Sequence, residues 1–167
     1  MISDKSVAKI VSKINKKKFH SYEINEENHS WFPILEVPDE GNFLGVNDLG
    51  EWVCGKEEWV KNLQTQKNSF ILLPILKMKK QEFVSNLKKA ITTNDLPEVI
   101  IDTFPFDHIV IGGLQSYGDN FKNAVSWLDD GFPPNDVIAS ICDEKCPNKI
   151  SAINRWRNER LKSILSI

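Results

Sequence analysis

Residues 41–54 read GNFLGVNDLGEWVC. Two short runs with an extended look, Gly41-Asn-Phe-Leu-Gly-Val46 and Glu51-Trp-Val-Cys54, stand either side of Asn47-Asp-Leu-Gly50. Asn, Asp and Gly tolerate the backbone angles of tight reversals, so the stretch predicts a β-hairpin. A connection this short joins antiparallel strands, because parallel neighbours need a crossover of a dozen residues or more.

Reading outward, Trp31-Phe-Pro-Ile-Leu-Glu-Val37 is extended and stops at Pro38. A short helix beginning near Lys56 would turn Trp59, Val60 and Leu63 inward. The apolar run Phe70-Ile-Leu-Leu-Pro-Ile-Leu76 has the length and composition of a buried strand. Phe83, Leu87 and Ile91, each four apart, predict a helix over about 79–93. Val99-Ile-Ile101 and His108-Ile-Val-Ile111 read as further strands, the second stopped by Gly112-Gly113.

Both ends read as helical. Val7, Ile10, Val11 and Ile14 form a stripe over 4–17, capped by Asp4. Residues 119–130 predict a helix opened by Asp119 and closed by Gly131, followed by helices over 135–144 and, after Pro147-Asn148, to the C-terminus. The expectation is an α+β protein made of one domain, residues 1–167, with a small, mostly antiparallel sheet packed by helices. Its strand-containing part covers about 1–115 and a three-helix segment about 118–167.

Composition narrows the class. Of 167 residues, 41% are hydrophobic and 26% charged, enough apolar surface for a core and too much for a disordered chain. The N-terminus lacks the apolar stretch of a signal peptide, and the run at 70–76 is too short to span a bilayer, so the expected location is the cytoplasm, away from membranes. Cys54, Cys142 and Cys146 are an odd number without metal-ligand spacing, which predicts reduced thiols and no metal site.

Charge is the most informative feature. Residues 1–18 carry net +5, 19–60 net −9, 61–90 net +6, 91–144 net −9 and 145–167 net +5. Blocks of one sign can gather on separate faces, where they steer an oppositely charged partner. The acidic residues singled out are Glu23, Glu26, Glu27, Glu36, Asp39 and Glu40 in the first acidic block, and Asp129, Asp130 and Asp136 around the Gly131 turn. Trp31 and Trp52 lie within the first block, and tryptophan is a common anchor at interfaces. Together these residues form the expected partner-binding face.

Other chemistries find weaker support. Asp102, Asp107 and His108 offer an acid–base set, but alternation along a strand would point Asp107 and His108 to opposite sides. Gly112-Gly113 lacks the spacing and the lysine of a phosphate loop. Lys13–Lys18 and the Arg155–Arg160 stretch invite nucleic acid, whereas a pI near 5.9 argues against a dedicated binder. No catalytic residue, cofactor or metal is expected.

The stretch Trp127-Leu-Asp-Asp-Gly-Phe-Pro-Pro-Asn-Asp136, followed by a helix and Arg155-Trp-Arg-Asn-Glu-Arg160, resembles the helical tails of small bacterial proteins encoded beside secreted polymorphic toxins. In size and charge layout the chain resembles the immunity proteins of contact-dependent growth inhibition and related toxin systems. That resemblance implies a protein that binds and neutralises the C-terminal domain of a cognate toxin, often a basic nuclease. Immunity proteins share no common fold, so the resemblance assigns no residue a role.

Overall fold

The structure, a computed structural model, describes residues 20–24, 27–56 and 59–133 together with positions 135, 136, 138 and 141. The helices expected over 4–17 and after Pro147-Asn148 lie outside the described residues. So does most of the one expected over 135–144, although Asp136, Ile138 and Ile141 are helical.

Five strands form one antiparallel meander in the order β1-β2-β3-β4-β5. They are β1 (His20–Ile24), β2 (Glu27–Glu36), β3 (Phe43–Asn47), β4 (Trp52–Lys56) and β5 (Trp59–Asn62). The hairpin read from residues 41–54 is present as β3 and β4. Asn47 makes its turn: its Oδ1 accepts from the N–H groups of Leu49 at 3.1 Å and Glu51 at 2.8 Å. Strand alternation sends Phe32, Leu44, Val46, Trp52 and Cys54 to the inner face, where they join the main core. Tyr22, Trp31 and Val53 are buried on the outer face, with Val60 packed against them.

After the sheet the described residues are mostly helical. A 3-10 helix spans Gln66–Lys77, α1 Lys80–Thr93, a short 3-10 helix Glu98–Thr103, α2 Phe106–Gln115 and α3 Asp119–Asp129. Trp52, Phe83, Phe104, Phe106 and Trp127 meet ring to ring between sheet and helices, with centroids 4.7–6.1 Å apart. Trp52 Nε1 donates to Thr103 Oγ1 at 3.0 Å and to the Ile100 carbonyl at 3.3 Å, tying β4 to the short 3-10 helix.

The α+β class and the antiparallel sheet hold, but several elements differ from expectation. Trp59–Asn62 is a strand, not a helix: Lys56 pairs with Trp59 and Gly55 with Val60, leaving a connection of two residues. Phe70–Leu76 lies in the long 3-10 helix. Its buried positions Ser69, Leu72 and Ile75 recur every three residues, the repeat of a helix with three residues per turn. Val99–Ile101 belongs to the short 3-10 helix, and His108–Ile111 to α2.

Gly112 and Gly113 do not stop an element; they lie inside α2. A β-carbon on Gly113 would sit 2.5 Å from Leu76 Cδ1 and 2.7 Å from Ala124 Cβ, so its bare backbone lets α2 touch both the long 3-10 helix and α3. At the end of α3, Gly131 (φ +83°) closes the helix as expected. Its N–H donates to the Leu128 carbonyl and that of Phe132 to the Trp127 carbonyl, the paired bonds of a Schellman cap.

Candidate functional site

The acidic block 19–60 coincides with the meander, which concentrates one of the two net −9 stretches of the chain on one structural unit. Within that unit the carboxylates divide between two ends. Glu23 pairs in register with Asn28 near the start of β2, whereas Glu36 ends that strand and pairs with Phe43. Eight residues of extended chain separate the two ends, roughly 25 Å.

Towards the Glu23 end Asp48 and Glu51 are engaged internally. Asp48 Oδ2 accepts from Ser30 N–H at 3.3 Å and Ser30 Oγ at 3.2 Å, while Asp48 Oδ1 lies 3.6 Å from His29 Nδ1. Glu51 Oε2 accepts from Asn47 Nδ2 at 2.9 Å and Asn62 Nδ2 at 2.6 Å. Asn47 Nδ2 also donates to the hydroxyl of Tyr22, whose pKa is raised above the ordinary tyrosine range mainly by burial. These groups brace the hairpin. Among the described residues no group of three His, Cys, Asp or Glu side chains is placed to hold a metal ion.

The other end is built by the β2–β3 turn. Val37 N–H donates to the Asn42 carbonyl at 2.7 Å, closing a loop in which Asp39 (φ +64°) and Gly41 (φ +60°) are left-handed. Aspartate visits that region more readily than most residues, and glycine does so freely. The loop leaves Glu36, Asp39 and Glu40 exposed. Lys77 Nζ donates to Asp39 Oδ2 at 2.7 Å, and this bond raises the lysine pKa. Lys56 also comes close, its Nζ lying 3.8 Å from where a β-carbon on Gly41 would be.

The second acidic turn, Asp129-Asp130-Gly131, stands near the same lysine segment. Lys80 Nζ donates to the Gly131 carbonyl at 3.2 Å and lies 5.4 Å from the centre of the Phe132 ring. Trp127 Nε1 donates to the Met78 carbonyl at 2.9 Å. Residues 77–80 therefore touch the Asp39 turn with one end and the Gly131 turn with the other. Asp129 and Asp130 are exposed, as is Asp136 beyond them.

This corrects two expectations. The signs are not sorted onto separate faces here, because Lys77, Lys79 and Lys80 stand between two acidic turns. Trp31 and Trp52 do not present a surface: they are 2% and 0% exposed, on opposite faces of the sheet. Of the other expected contact residues, Glu23 is exposed on β1 but belongs to the distant end. Glu27 begins β2, and Glu26 lies outside the described residues.

Among the described residues of the acidic unit, the exposed large aromatic is Phe43, at 39%. It opens β3 as the cross-strand neighbour of Glu36 on one side and Gly55 on the other. Its signal in the sequence is its parity. Leu44 and Val46 face the core, so Phe43 must face outward.

Asp102, Asp107 and His108 are not brought together as an acid–base set. Asp102 is exposed, and Asp107 Oδ2 accepts from Asn135 Nδ2 at 3.3 Å. His108 Nδ1 lies 3.2 Å from the Leu63 carbonyl and 3.4 Å from the hydroxyl of buried Ser69, fastening α2 to the chain leaving the sheet. Successive positions on a helix diverge by about 100°, which separates Asp107 from His108 where strand alternation had been expected to do so. Cys54 is buried, and burial pushes its thiol up to about 12, with the charge of Glu40 adding to the effect. Cys142, Cys146 and the basic stretches 13–18 and 155–160 lie outside the described residues.

The fold and site define an α+β protein whose antiparallel meander carries an exposed acidic turn beside an exposed phenylalanine. No protein-family model matches the chain, and comparison with curated proteins and with solved structures yields no match. No helix among the described residues is long and apolar enough to cross a membrane.

Proposed function

We propose that the chain is a stoichiometric inhibitor of the immunity-protein kind, which binds the C-terminal domain of a cognate bacterial toxin in the cytoplasm and blocks it. The partner surface is cationic, as in a nuclease that must hold nucleic-acid phosphates. Carboxylates of the inhibitor take the place of those phosphates, an arrangement that speeds encounter and rejects partners of like charge. What supports this reading above all is that the first net −9 block, residues 19–60, coincides with the meander, whose Glu36, Asp39 and Glu40 are exposed at one end.

The first test is genetic context. A large secreted protein with a variable C-terminal domain is expected to be encoded immediately upstream, and that domain is the partner to purify. Calorimetry should give one-to-one binding, with association slowing as salt rises. Reversing charge in pairs, Glu36→Lys with Glu40→Lys or Asp129→Lys with Asp130→Lys, should weaken capture. Equal affinity in both double variants would remove the acidic turns from the interface, and absence of binding by the unaltered chain would remove the function.

A further inference from the structure

We propose that Phe43 is the anchor of the capture surface, and that it receives an arginine side chain of the partner while Glu36 holds the guanidinium. This rests on the reading of the chain as a binder of a cationic protein, and it names the chemistry that the surface selects.

Four large hydrophobic side chains are exposed among the described residues: Phe43 at 39%, Leu49 at 51%, Phe70 at 42% and Tyr117 at 61%. Phe70 and Tyr117 lie outside the acidic meander. Leu49 tips the β3–β4 turn, beside Asp48 and Glu51, which already accept hydrogen bonds from Ser30, Asn47 and Asn62. Phe43 alone combines exposure with a cross-strand carboxylate, Glu36, that makes no such bond among the described residues.

The ladder fixes the arrangement. Glu36 and Phe43 are direct cross-strand partners, so their side chains leave the same face with β-carbons about 5 Å apart. On the other flank Gly55 offers no side chain to cover the ring. It has to be glycine, because a β-carbon there would lie 2.2 Å from the Trp59 carbonyl oxygen and 2.8 Å from Val60 Cα. The close approach of β5 thus keeps one side of Phe43 without cross-strand cover.

A phenyl face beside a carboxylate suits arginine better than lysine. The planar guanidinium stacks on the ring while two of its N–H groups reach the carboxylate, whereas an ammonium is a strongly hydrated point charge. Lys56 approaches the β2–β3 turn beside Gly41. It sits one position past Gly55 and so has the opposite strand parity, away from the Phe43 row.

The test uses the whole chain with peptides of nine arginines and nine lysines, titrated at low ionic strength by calorimetry. The unaltered protein should bind the arginine peptide more tightly than the lysine peptide. Phe43→Leu, which keeps an apolar side chain and loses the ring, should weaken the arginine peptide by about fivefold or more. Phe70→Leu, at a similarly exposed ring, should change nothing. If Phe43→Leu binds like the unaltered protein while Glu36→Gln with Glu40→Gln binds more weakly, the anchor is wrong and the acidic interface stands. Equal affinity for the two peptides overturns the selection for arginine. Failure of both peptides to bind overturns the anchor and the cationic partner together.

Discussion

Two adjacent glycines in α2 should respond in opposite directions to the same substitution. A helix interior favours alanine over glycine by about 1 kcal/mol, so Gly112→Ala and Gly113→Ala begin with the same gain. Their surroundings then differ. A β-carbon on Gly112 would lie 3.4 Å from Leu73 Cδ2 and 3.8 Å from the Phe70 ring, which is ordinary contact. On Gly113 it would lie 2.5 Å from Leu76 Cδ1, 2.7 Å from Ala124 Cβ and 3.1 Å from the Asn120 carbonyl. Leu76 can rotate away, but Ala124 Cβ and the Asn120 backbone are rigid, so α2 must retreat from α3 by about an ångström. Overpacking of that kind costs about 1–3 kcal/mol, and contact with two rigid groups places this case at the upper end. The expected net effects are about 0.5–1 kcal/mol of stabilisation for Gly112→Ala and about 2 kcal/mol of destabilisation for Gly113→Ala. In thermal unfolding these correspond to about +2 °C and −6 °C for a chain of this size. Urea titration of both variants against the unaltered protein measures the difference directly. If Gly113→Ala proves as stable as its neighbour, the close crossing of α2 on α3 is wrong.

Other features give sharp outcomes. Cys54 should resist a thiol reagent in the folded protein and react at the rate of global unfolding. Its raised pKa also sets a sign: the thiol contributes fully below its unfolded value of 9.0 and loses that contribution as pH rises towards about 12, so Cys54→Ala should flatten the alkaline fall in stability. Asn47→Ala removes the acceptor for two backbone N–H groups and a donor to Glu51, and should cost about 2–3 kcal/mol in chemical denaturation. Trp52→Phe leaves the Ile100 carbonyl and Thr103 Oγ1 without the indole donor, and should cost about 2 kcal/mol with little change in far-ultraviolet dichroism.

The sheet was legible where turn chemistry announces it, and obscure where tertiary contacts decide. Asn47-Asp-Leu-Gly50 carries its reversal in its own residues, so β3 and β4 could be read directly. The β4–β5 connection passes through Glu57-Glu58, which have no turn preference, and the spacing of Trp59, Val60 and Leu63 imitates a helix face. Phe70–Leu76 and His108–Ile111 show the converse problem. A short apolar run looks alike in a buried strand and a buried helix, and the deciding contacts come from elsewhere in the chain. Gly113 sits against Leu76 and Ala124, and neither contact is visible in the local sequence. Among the described residues all five strands therefore fall within 20–62, although the strand-containing part was expected to reach about 115.

For the site, counting charge along the chain picked out a stretch that folds as one unit, while the aromatic residues chosen with it are buried. The tally by block is independent of geometry, and it picked out the meander because consecutive strands of a meander stay together. It could not foresee that residues 77–80 would stand between the two acidic turns, since that depends on where the long 3-10 helix ends. The aromatic anchors were chosen by residue type, which favours tryptophan. Large indoles, however, are also the side chains that a small sheet most needs inside, and Trp31 and Trp52 fill its two faces. Parity separates the two roles. Once Leu44, Val46, Trp52 and Cys54 are assigned to the core face, Phe43 is forced outward beside Glu36, and an exposed ring next to a carboxylate follows from the register alone.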